Sequence, residues 1–273
     1  MKEPFSVLMS LYHKETPLYL RESLKSVFSN SCQPDQVVLI IDGPIGSMLQ
    51  GVVDEFNNKY DCLEVLPQEC NHGLSYSLNL GLAQCRNDIV FRMDTDDVCA
   101  NNRFERTLEE YEHFPELEVV GTFTRRINGN GEISGTVIKY PQTQEEIYKN
   151  VWRCPFAHPT VSFRKQSIIR IGSYNPNSGP RQDDYELWFR CVAGGLKCKN
   201  IPEPLLYFRF FDDTVNKNNI KVSWWRLKVG LKGVLKCHCS PIAYIGVFYP
   251  LFRSLMPNII RKWLYRSFNR NRQ

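Results

Sequence analysis

The first 123 residues alternate short apolar runs with segments in which apolar residues recur every three or four positions. The apolar runs predict five strands, at residues 5–11, 37–41, 63–66, 89–93 and 118–122. The helical spacing between them occurs in three sets: Leu20, Leu24 and Val27; Leu74, Leu78 and Leu82; and Phe104, Leu108 and Tyr111. Because strands that alternate with helices build βαβ units, the pattern predicts an α/β fold with a mixed, mainly parallel sheet flanked by helices.

Polar segments follow three of these strands: residues 10–14, Asp42 with Gly43, and residues 94–97. In parallel sheets, ligands bind beyond the carboxyl ends of the strands, where the following loops converge. The sequence therefore predicts that three distant segments share one ligand-binding edge.

The segment RMDTDD, residues 92–97, places three carboxylates within four positions directly after a buried strand. Like charges this close raise one another's pKa unless a cation lies among them. An EF-hand calcium site is excluded because it would need a ligand and a glycine where Val98 and Cys99 stand. A phosphatase-type nucleophile is excluded because it would follow the first strand. An ATP-binding P-loop is excluded because no GxxxxGK[ST] segment occurs. The remaining use is a divalent cation held by carboxylates and a substrate diphosphate. The alternative, an acidic helix N-terminus, explains Asp97 but not Asp94.

Residues 124–210 have a less regular pattern and contain no low-complexity linker, so we expect this half to pack on the first. Gly129, Gly131 and Gly135 predict a hairpin. The segment DDYELWFRCV, residues 183–192, predicts a helix with acidic residues in its first turn.

The charge is divided unevenly along the chain: residues 1–213 contain 22 basic and 29 acidic residues, whereas residues 214–273 contain 12 basic and no acidic residues. Within residues 221–236, one predicted helical face carries Trp224, Leu227, Leu231, Val234 and Leu235, with lysines beside it. Such a helix is typical of an anionic membrane surface, and a helix packed on the core is the alternative. Residues 242–252 are apolar but too short to span a bilayer, and residues 259–272 again mix aromatic and basic side chains. The pattern predicts a tail that lies on a membrane, and no nucleic-acid-binding module accompanies the charge.

Six segments, in their order and spacing, resemble the family 2 glycosyltransferases with the GT-A fold, in particular bacterial enzymes of O-antigen or exopolysaccharide assembly. The segments are FSVLMSLYHKE, VVLIIDGP, NHGLSYSLNLGL, FRMDTDDVCANNRFERTLE, CPFAHPTVSFRK and QDDYELWFR. The resemblance implies a Rossmann-like nucleotide-diphospho-sugar transferase domain at residues 1–213, with a nucleotide-sugar half (1–123) and an acceptor half (124–213). The basic amphipathic tail (214–273) would follow it.

The resemblance also implies a donor site for a UDP-sugar at the ends of the first strands. Asp96 and Asp94 would hold Mn²⁺ or Mg²⁺ on the donor diphosphate, with Asp94 also near the ribose, and Asp42 would meet the uracil edge. Arg92 would brace the carboxylates or meet phosphate, and Arg209 would reach the diphosphate. The other residues implied in the donor site are Ser10, Tyr12, Glu15, Asn71, Gly73, Asn79 and Asp97.

In the family, the general base is the second acid of a Glu-Asp pair before a Leu-Trp helix, and here the pair reads Asp183-Asp184. The resemblance therefore implies Asp184 as the base and Asp183 as its neighbour in a single displacement that inverts the anomeric centre. Two capping acids at a helix N-terminus are the alternative. His158 matches a position near the acceptor, although a lone histidine is more often structural.

The basic tail and the resemblance together predict a peripheral enzyme at the cytoplasmic face of the bacterial inner membrane. The ten cysteines form no regular framework and the N-terminus does not read as a signal peptide, which favours the cytoplasm. We expect transfer of glucose or galactose from a UDP-sugar to GlcNAc-diphosphate-undecaprenol, with a divalent metal and without a nucleic-acid partner. The alternatives are a later-acting transferase that uses UDP-GlcNAc or UDP-GalNAc, and a non-catalytic nucleotide-sugar-binding module.

Overall fold

The computed structural model describes residues 3–210 and 219–256 of the chain. The strands are β1 (Phe5–Leu11), β2 (Gln36–Ile41), β3 (Leu63–Pro67), β4 (Ile89–Asp94), β5 (Val98–Cys99), β6 (Val119–Ile127), β7 (Ile133–Ile138), β8 (Ser162–Arg164) and β9 (Cys198–Arg209). The helices are α1 (Pro17–Phe28), α2 (Ser47–Lys59), α3 (Leu74–Gln84), α4 (Arg103–His113), α5 (Gln144–Lys149), α6 (Lys165–Arg170), α7 (Asp183–Ala193), α8 (Ile220–Lys236), α9 (Pro241–Gly246) and α10 (Tyr249–Leu255). The strands join into one sheet in the order β3-β2-β1-β4-β8-β6-β9-β5, with β7 paired to β6.

The first half of the sheet confirms the parallel βαβ prediction. Strand β1 pairs in parallel with both β2 and β4, and β2 pairs in parallel with β3. All six residues of β2 are buried, as expected for a parallel strand covered by helices on both faces. Because β1 lies between β2 and β4, the strand order reverses beside it, and the crevice at such a reversal is a preferred ligand site.

The sheet becomes mixed beyond β4. The three-residue strand β8 is antiparallel to both β4 and β6, so β6 runs in the direction of β4 without touching it. The predicted strand at 118–122 is therefore not the next parallel neighbour of β4. Strand β9 pairs in parallel with β6, and the register shifts near Thr122 and Phe123, opposite Pro204. This shift accommodates prolines in a strand that the apolar pattern did not predict.

Helices cover both faces of the sheet. Helices α1, α2 and α4 bury their apolar residues in one layer, where the rings of Phe5, Phe91 and Phe104 lie 4.9–5.0 Å apart. Helices α3, α7 and α8 contribute to the other layer. The predicted apolar faces of α1 and α4 are buried, as are Leu78 and Leu82 of α3. The glycine-rich hairpin also forms, with β6 and β7 antiparallel.

Helix α8 packs on the body, and its buried face differs from the predicted one. Leu227 and Val234 are buried, whereas Trp224 and Leu235 on the same predicted face are 48% and 61% exposed. Gly230 and Gly233 set the buried face, since a side chain at Gly233 would overlap the Phe189 ring of α7. Part of the predicted face therefore packs on the core, as the alternative interpretation held. The apolar pattern did not predict the buried face because it gave no weight to the glycines.

The last described helices, α9 and α10, expose a group of large apolar side chains. They are Ile242 and Ile245 of α9 and Tyr249, Phe252 and Leu255 of α10, with Phe248 between the two helices. Among the described helices, none has both the length and the apolar character that a bilayer crossing requires. The mixed aromatic and basic segment at 259–272 and the proposed boundary at residue 213 lie outside the described residues.

Candidate active site

A cleft of about 1180 Å³ starts at the carboxyl end of β4 and extends between α7 and the C-terminal helices. At its inner end, Asp94 of β4 lies opposite Ser10 of β1 in the parallel register. Asp183 and Asp184, at the start of α7, also line the cleft. The fold therefore brings the predicted donor-side aspartate and the predicted base into one cavity.

Three carboxylates meet where β4 ends and β5 begins. One oxygen from each of Asp94, Asp96 and Asp97 lies within 4.8 Å of the others. The guanidinium of Arg92, which is buried, forms an ion pair with Asp94. Asp97 is fully buried; its Oδ1 accepts a hydrogen bond from the Arg209 backbone N–H at 2.9 Å, and its Oδ2 has no hydrogen-bond partner among the described residues.

The environment of this carboxylate cluster disfavours negative charge in the absence of a cation. Desolvation by burial, followed by the charges of Asp94 and Glu15, raises the pKa of Asp96 from 3.8 to about 7. Desolvation and the neighbouring aspartates also raise the pKa of Asp97. The pKa of Glu15 is raised mainly by burial, while its Oε2 accepts a hydrogen bond from Thr95 Oγ1 at 2.9 Å.

The carboxylate oxygens of this cluster fit a divalent cation. Carboxylate oxygens are the ligands that Mg²⁺ and Mn²⁺ prefer, and the unpartnered Oδ2 of Asp97 is a buried acceptor in need of a positive partner. The geometry places Asp97 with Asp94 and Asp96, whereas the sequence assigned it only to nucleotide contact. Asp97 is therefore a third candidate ligand.

Arg209 has a different place from the predicted one. Its Nε donates to the Asp96 carbonyl at 2.8 Å, and its Nη1 donates to the carbonyls of Asn128 and Gly129 at 3.0 and 3.1 Å. The side chain is fully buried and its Nη2 pairs with Glu22. Because these groups occupy the guanidinium, Arg209 holds the backbone of the carboxylate cluster instead of facing a diphosphate.

The Asp42 carboxylate binds the loop that precedes α3, and its contact with a uracil edge stays a prediction. Its carboxylate accepts hydrogen bonds from the backbone N–H groups of His72 and Gly73 at 2.7 and 3.0 Å, and from Asn71 Nδ2 at 2.9 Å. Next to it, Gly43 has φ +86°, and a Cβ there would lie 2.7 Å from Asn71 N. The Asp42 carboxylate thus fixes the loop 71–73, whose Gly73 lines the cleft with φ +91° and open space beside its Cα.

Asn79 joins the two halves of the protein instead of facing the cleft. Its Nδ2 donates to the Tyr174 carbonyl and its Oδ1 accepts from the Tyr174 N–H, both at 2.8 Å. The Tyr174 hydroxyl lies 3.0 Å from His158 Nε2. His158 lines the cleft, and burial together with the Arg92 charge lowers its pKa well below the usual value, so the imidazole is neutral.

The two acids of α7 have different environments. Asp183 Oδ1 accepts a hydrogen bond from Ser75 Oγ of α3 at 2.5 Å. Asp184 Oδ1 accepts from the Tyr185 N–H at 2.7 Å, and Cys154 Sγ lies 3.4 Å from its Oδ2. Desolvation raises the pKa of Asp184, whereas the charge of Arg226 opposes that rise. A carboxylate with a raised pKa inside a cleft is suited to accept a proton near neutral pH.

Sequence reasoning missed four arginines that line the cleft: Arg126, Arg181, Arg226 and Arg253. Arg181 lies in the loop before α7 with φ +60°, and its charge lowers the pKa of Tyr12, although burial and the nearby acids raise that pKa overall. Arg226 and Arg253 belong to the basic tail, where the charge count assigned them to a membrane surface. Neither their spacing nor their neighbours in the sequence signals a place in the cleft.

Several relatives match this chain over almost its whole length, including the two that follow. The UDP-Gal:alpha-D-GlcNAc-diphosphoundecaprenol beta-1,3-galactosyltransferase of Escherichia coli is 32% identical over 96% of this chain and 95% of its own. The amylovoran biosynthesis glycosyltransferase AmsE of Erwinia amylovora is 35% identical over 96% of this chain and 98% of its own.

Structural comparison and a family model agree on the class of fold. A mannosyltransferase from Pyrobaculum calidifontis, solved in complex with GDP-Man and Mn²⁺, superposes with a TM-score of 0.69, covering 92% of this chain and 72% of that one at 13% identity. This similarity confirms the predicted GT-A fold. The model for "Glycosyl transferase family 2" matches residues 6–172. The chain therefore belongs to glycosyl transferase family 2 and is a glycosyltransferase.

Proposed function

We propose that this chain transfers galactose or glucose from a UDP-sugar to GlcNAc-diphosphate-undecaprenol during assembly of an O-antigen or a related surface polysaccharide. The observation that carries the proposal is that Asp94, from the carboxylate cluster, and Asp184, the candidate base, line the same cleft. The similarity to the Escherichia coli galactosyltransferase supports this donor and acceptor, and favours galactose. The similarity to AmsE supports a role in polysaccharide assembly.

On the donor side, Asp94, Asp96 and Asp97 would hold Mn²⁺ or Mg²⁺. When bound, the cation neutralises negative charge on the departing UDP. Arg92 keeps Asp94 in place through their ion pair, and Arg209 keeps the backbone at Asp96 in place through its hydrogen bond. Ser10 near the end of β1, and Tyr12 and Glu15 after it, would complete the donor side.

On the acceptor side, Asp184 would remove the proton from the attacking hydroxyl as its oxygen forms a bond to the anomeric carbon and the bond to UDP breaks. Asp183 precedes Asp184 in the sequence and also lines the cleft, and the Ser75 hydroxyl holds it in place by a hydrogen bond. A single displacement inverts the anomeric centre, so an α-linked donor gives a β-linkage. His158, held by Tyr174, would form the wall beside the acceptor.

The exposed apolar side chains of α9 and α10 support a peripheral position at the cytoplasmic face of the inner membrane. Ile245 and Phe252 are 75% and 63% exposed, and Tyr249 and Arg253 of α10 also line the cleft. Lys228, Lys232 and Lys236 on α8 add positive charge that would attract anionic lipid. The surface that would meet the membrane is thus continuous with the mouth of the cleft.

The direct test is UDP release with synthetic GlcNAc-diphosphate-lipid and each of UDP-Gal, UDP-Glc, UDP-GlcNAc and UDP-GalNAc, in Mn²⁺, Mg²⁺ or EDTA. We expect turnover with UDP-Gal or UDP-Glc that EDTA abolishes. The Asp96→Asn variant should lose this turnover. Asp61→Asn, at an exposed turn, serves as the charge-matched control. Turnover only with an N-acetylhexosamine donor or a longer acceptor would favour the later-acting transferase. Turnover that persists in EDTA would refute the metal-dependent reaction.

A further inference from the structure

Two arginines of the C-terminal helices line the cleft without a direct ion pair to a carboxylate among the described residues. Arg226 of α8 and Arg253 of α10 both line the cavity that begins at the carboxylate cluster. The Arg226 guanidinium lies 4.0 Å from the centre of the Tyr185 ring, which orients it by a cation–π contact. Within residues 3–210 and 219–256, neither arginine forms an ion pair with a carboxylate.

Several other arginines with little solvent exposure pair with carboxylates, whereas the buried Arg103 instead donates to the carbonyls of Arg92 and Pro159. Arg92 pairs with Asp94, Arg190 with Glu186, and Arg209 with Glu22. A guanidinium presents five N–H donors in a planar fork that matches phosphate oxygens, and it cannot lose its charge. Two such groups in one cleft, neither in a direct ion pair among the described residues, fit an anionic ligand, and the charge of Arg226 also acts on the Asp184 carboxyl.

We propose that Arg226 and Arg253 bind the diphosphate of the lipid-linked acceptor. This inference rests on the function proposed above and adds a subsite to it. The order of groups carries the assignment: Asp184 is followed by Tyr185, Arg226 stacks on the Tyr185 ring, and Arg253 lies on α10, whose Phe252 and Leu255 are exposed. A base, then cations, then an apolar surface is the order in which a sugar, its diphosphate and a polyprenol chain would meet the protein.

The donor diphosphate is the competing occupant of these arginines. The carboxylate cluster is at the end of β4, where a cation would hold the donor diphosphate, whereas the two arginines belong to α8 and α10. Chelation of the cation removes that mode of binding, so a diphosphate that still binds in EDTA reports on the arginines. The two subsites can therefore be measured separately.

The binding test is calorimetric titration of decyl diphosphate into the full chain in EDTA. We expect Arg226→Gln and Arg253→Gln each to weaken binding about tenfold or more, since each loses charge-assisted hydrogen bonds. Arg170→Gln, at an exposed arginine on α6 that pairs with Glu118, should bind like the unsubstituted protein. Unchanged affinity in both cleft variants, or no binding by the unsubstituted protein, would overturn the proposal. Because the two arginines lie on separate helices, one variant still tests the proposal if the other misfolds. Circular dichroism identifies a variant that has lost its secondary structure.

The kinetic test compares GlcNAc-diphosphate-decyl with decyl-GlcNAc, which lacks the phosphates. The cleft variants should raise the KM for the diphosphate acceptor about tenfold and leave the KM for the donor and for the neutral glycoside unchanged. A rise in KM of equal size for both acceptors would refute a diphosphate subsite. If the unsubstituted protein bound decyl diphosphate through these arginines but transferred sugar to neither acceptor, the proposed function would fail while the anion subsite stood.

Discussion

Replacement of Asp96 by asparagine is expected to stabilise the metal-free protein at high pH. Asp96 is half-buried beside Asp94 and Glu15, and its pKa is raised from 3.8 to about 7, chiefly by desolvation. At 1.36 kcal/mol per pKa unit, this shift means that the ionised side chain costs about 4 kcal/mol in the folded state relative to the unfolded state. Asparagine removes the charge but keeps a polar group in the same place, so we expect a gain of about 2 kcal/mol in the free energy of unfolding at about pH 8.

The sign of the pH dependence follows from the direction of the shift. Because the pKa of Asp96 is higher in the folded state than in the unfolded state, the folded protein holds the proton more tightly between about pH 4 and pH 7. The contribution of Asp96 to stability is therefore present at low pH and is lost as the pH rises through about 7. At about pH 5 the variant and the unsubstituted protein should unfold at nearly the same urea concentration.

The assay is urea unfolding in EDTA at about pH 5 and about pH 8, repeated with Mn²⁺. The unsubstituted protein should gain more stability from Mn²⁺ at about pH 8 than at about pH 5, and Asp96→Asn should gain much less. Asp61→Asn controls for the loss of one acidic charge. If Asp96→Asn were less stable than the unsubstituted protein at about pH 8 in EDTA, the carboxylate would have a favourable partner in the folded state, and the reasoning would be wrong.

Three further sets of substitutions test separate parts of the structure. Asp184→Asn should lower kcat about 10²–10⁴-fold with little change in the KM for the donor, measured by UDP release; near-full turnover would exclude Asp184 as the base. Gly43→Ala should lower the free energy of unfolding by about 1–3 kcal/mol, because φ is +86° and a Cβ would lie 2.7 Å from Asn71 N. Gly51→Ala, in open space on α2, should not lower it in the same urea titration, and equal effects would contradict the steric argument. Ile245→Glu and Phe252→Glu should reduce flotation with anionic vesicles several-fold, whereas Met48→Glu, at an exposed residue of α2, should not; unchanged flotation would remove α9 and α10 from the membrane proposal.

The first half of the fold could be predicted from the sequence because local pattern and buried structure coincide there. Strands β1, β2 and β4 are mostly apolar because both faces are covered, and the polar residues at and after their ends mark the ligand edge. Strand β8 has three residues and β9 contains Pro202 and Pro204, so neither has the alternation or the propensity of an ordinary strand. Their positions depend on pairing with β4 and β6, which the local sequence does not encode.

In the candidate site, the sequence likewise identified reactive types of residue but not their hydrogen-bond partners. The acids of RMDTDD and the Asp183-Asp184 pair could be identified because their charge and spacing are unusual. The roles of Arg209 and Asn79 could not, because their hydrogen-bond partners, among them Asn128 and Tyr174, are distant in sequence. The residue type indicated which interactions a side chain can form, and the tertiary fold decided with which group it forms them.

The end of the described chain forms part of the cleft wall, and this has a consequence for how substrates would arrive. If the apolar side of α9 and α10 rests on a bilayer, the mouth beside Tyr249 opens toward the plane in which a polyprenol-linked acceptor diffuses. Encounter then becomes a two-dimensional search whose rate depends on acceptors per unit area instead of per unit volume. The lengthened lipid-linked product could depart sideways without leaving the bilayer.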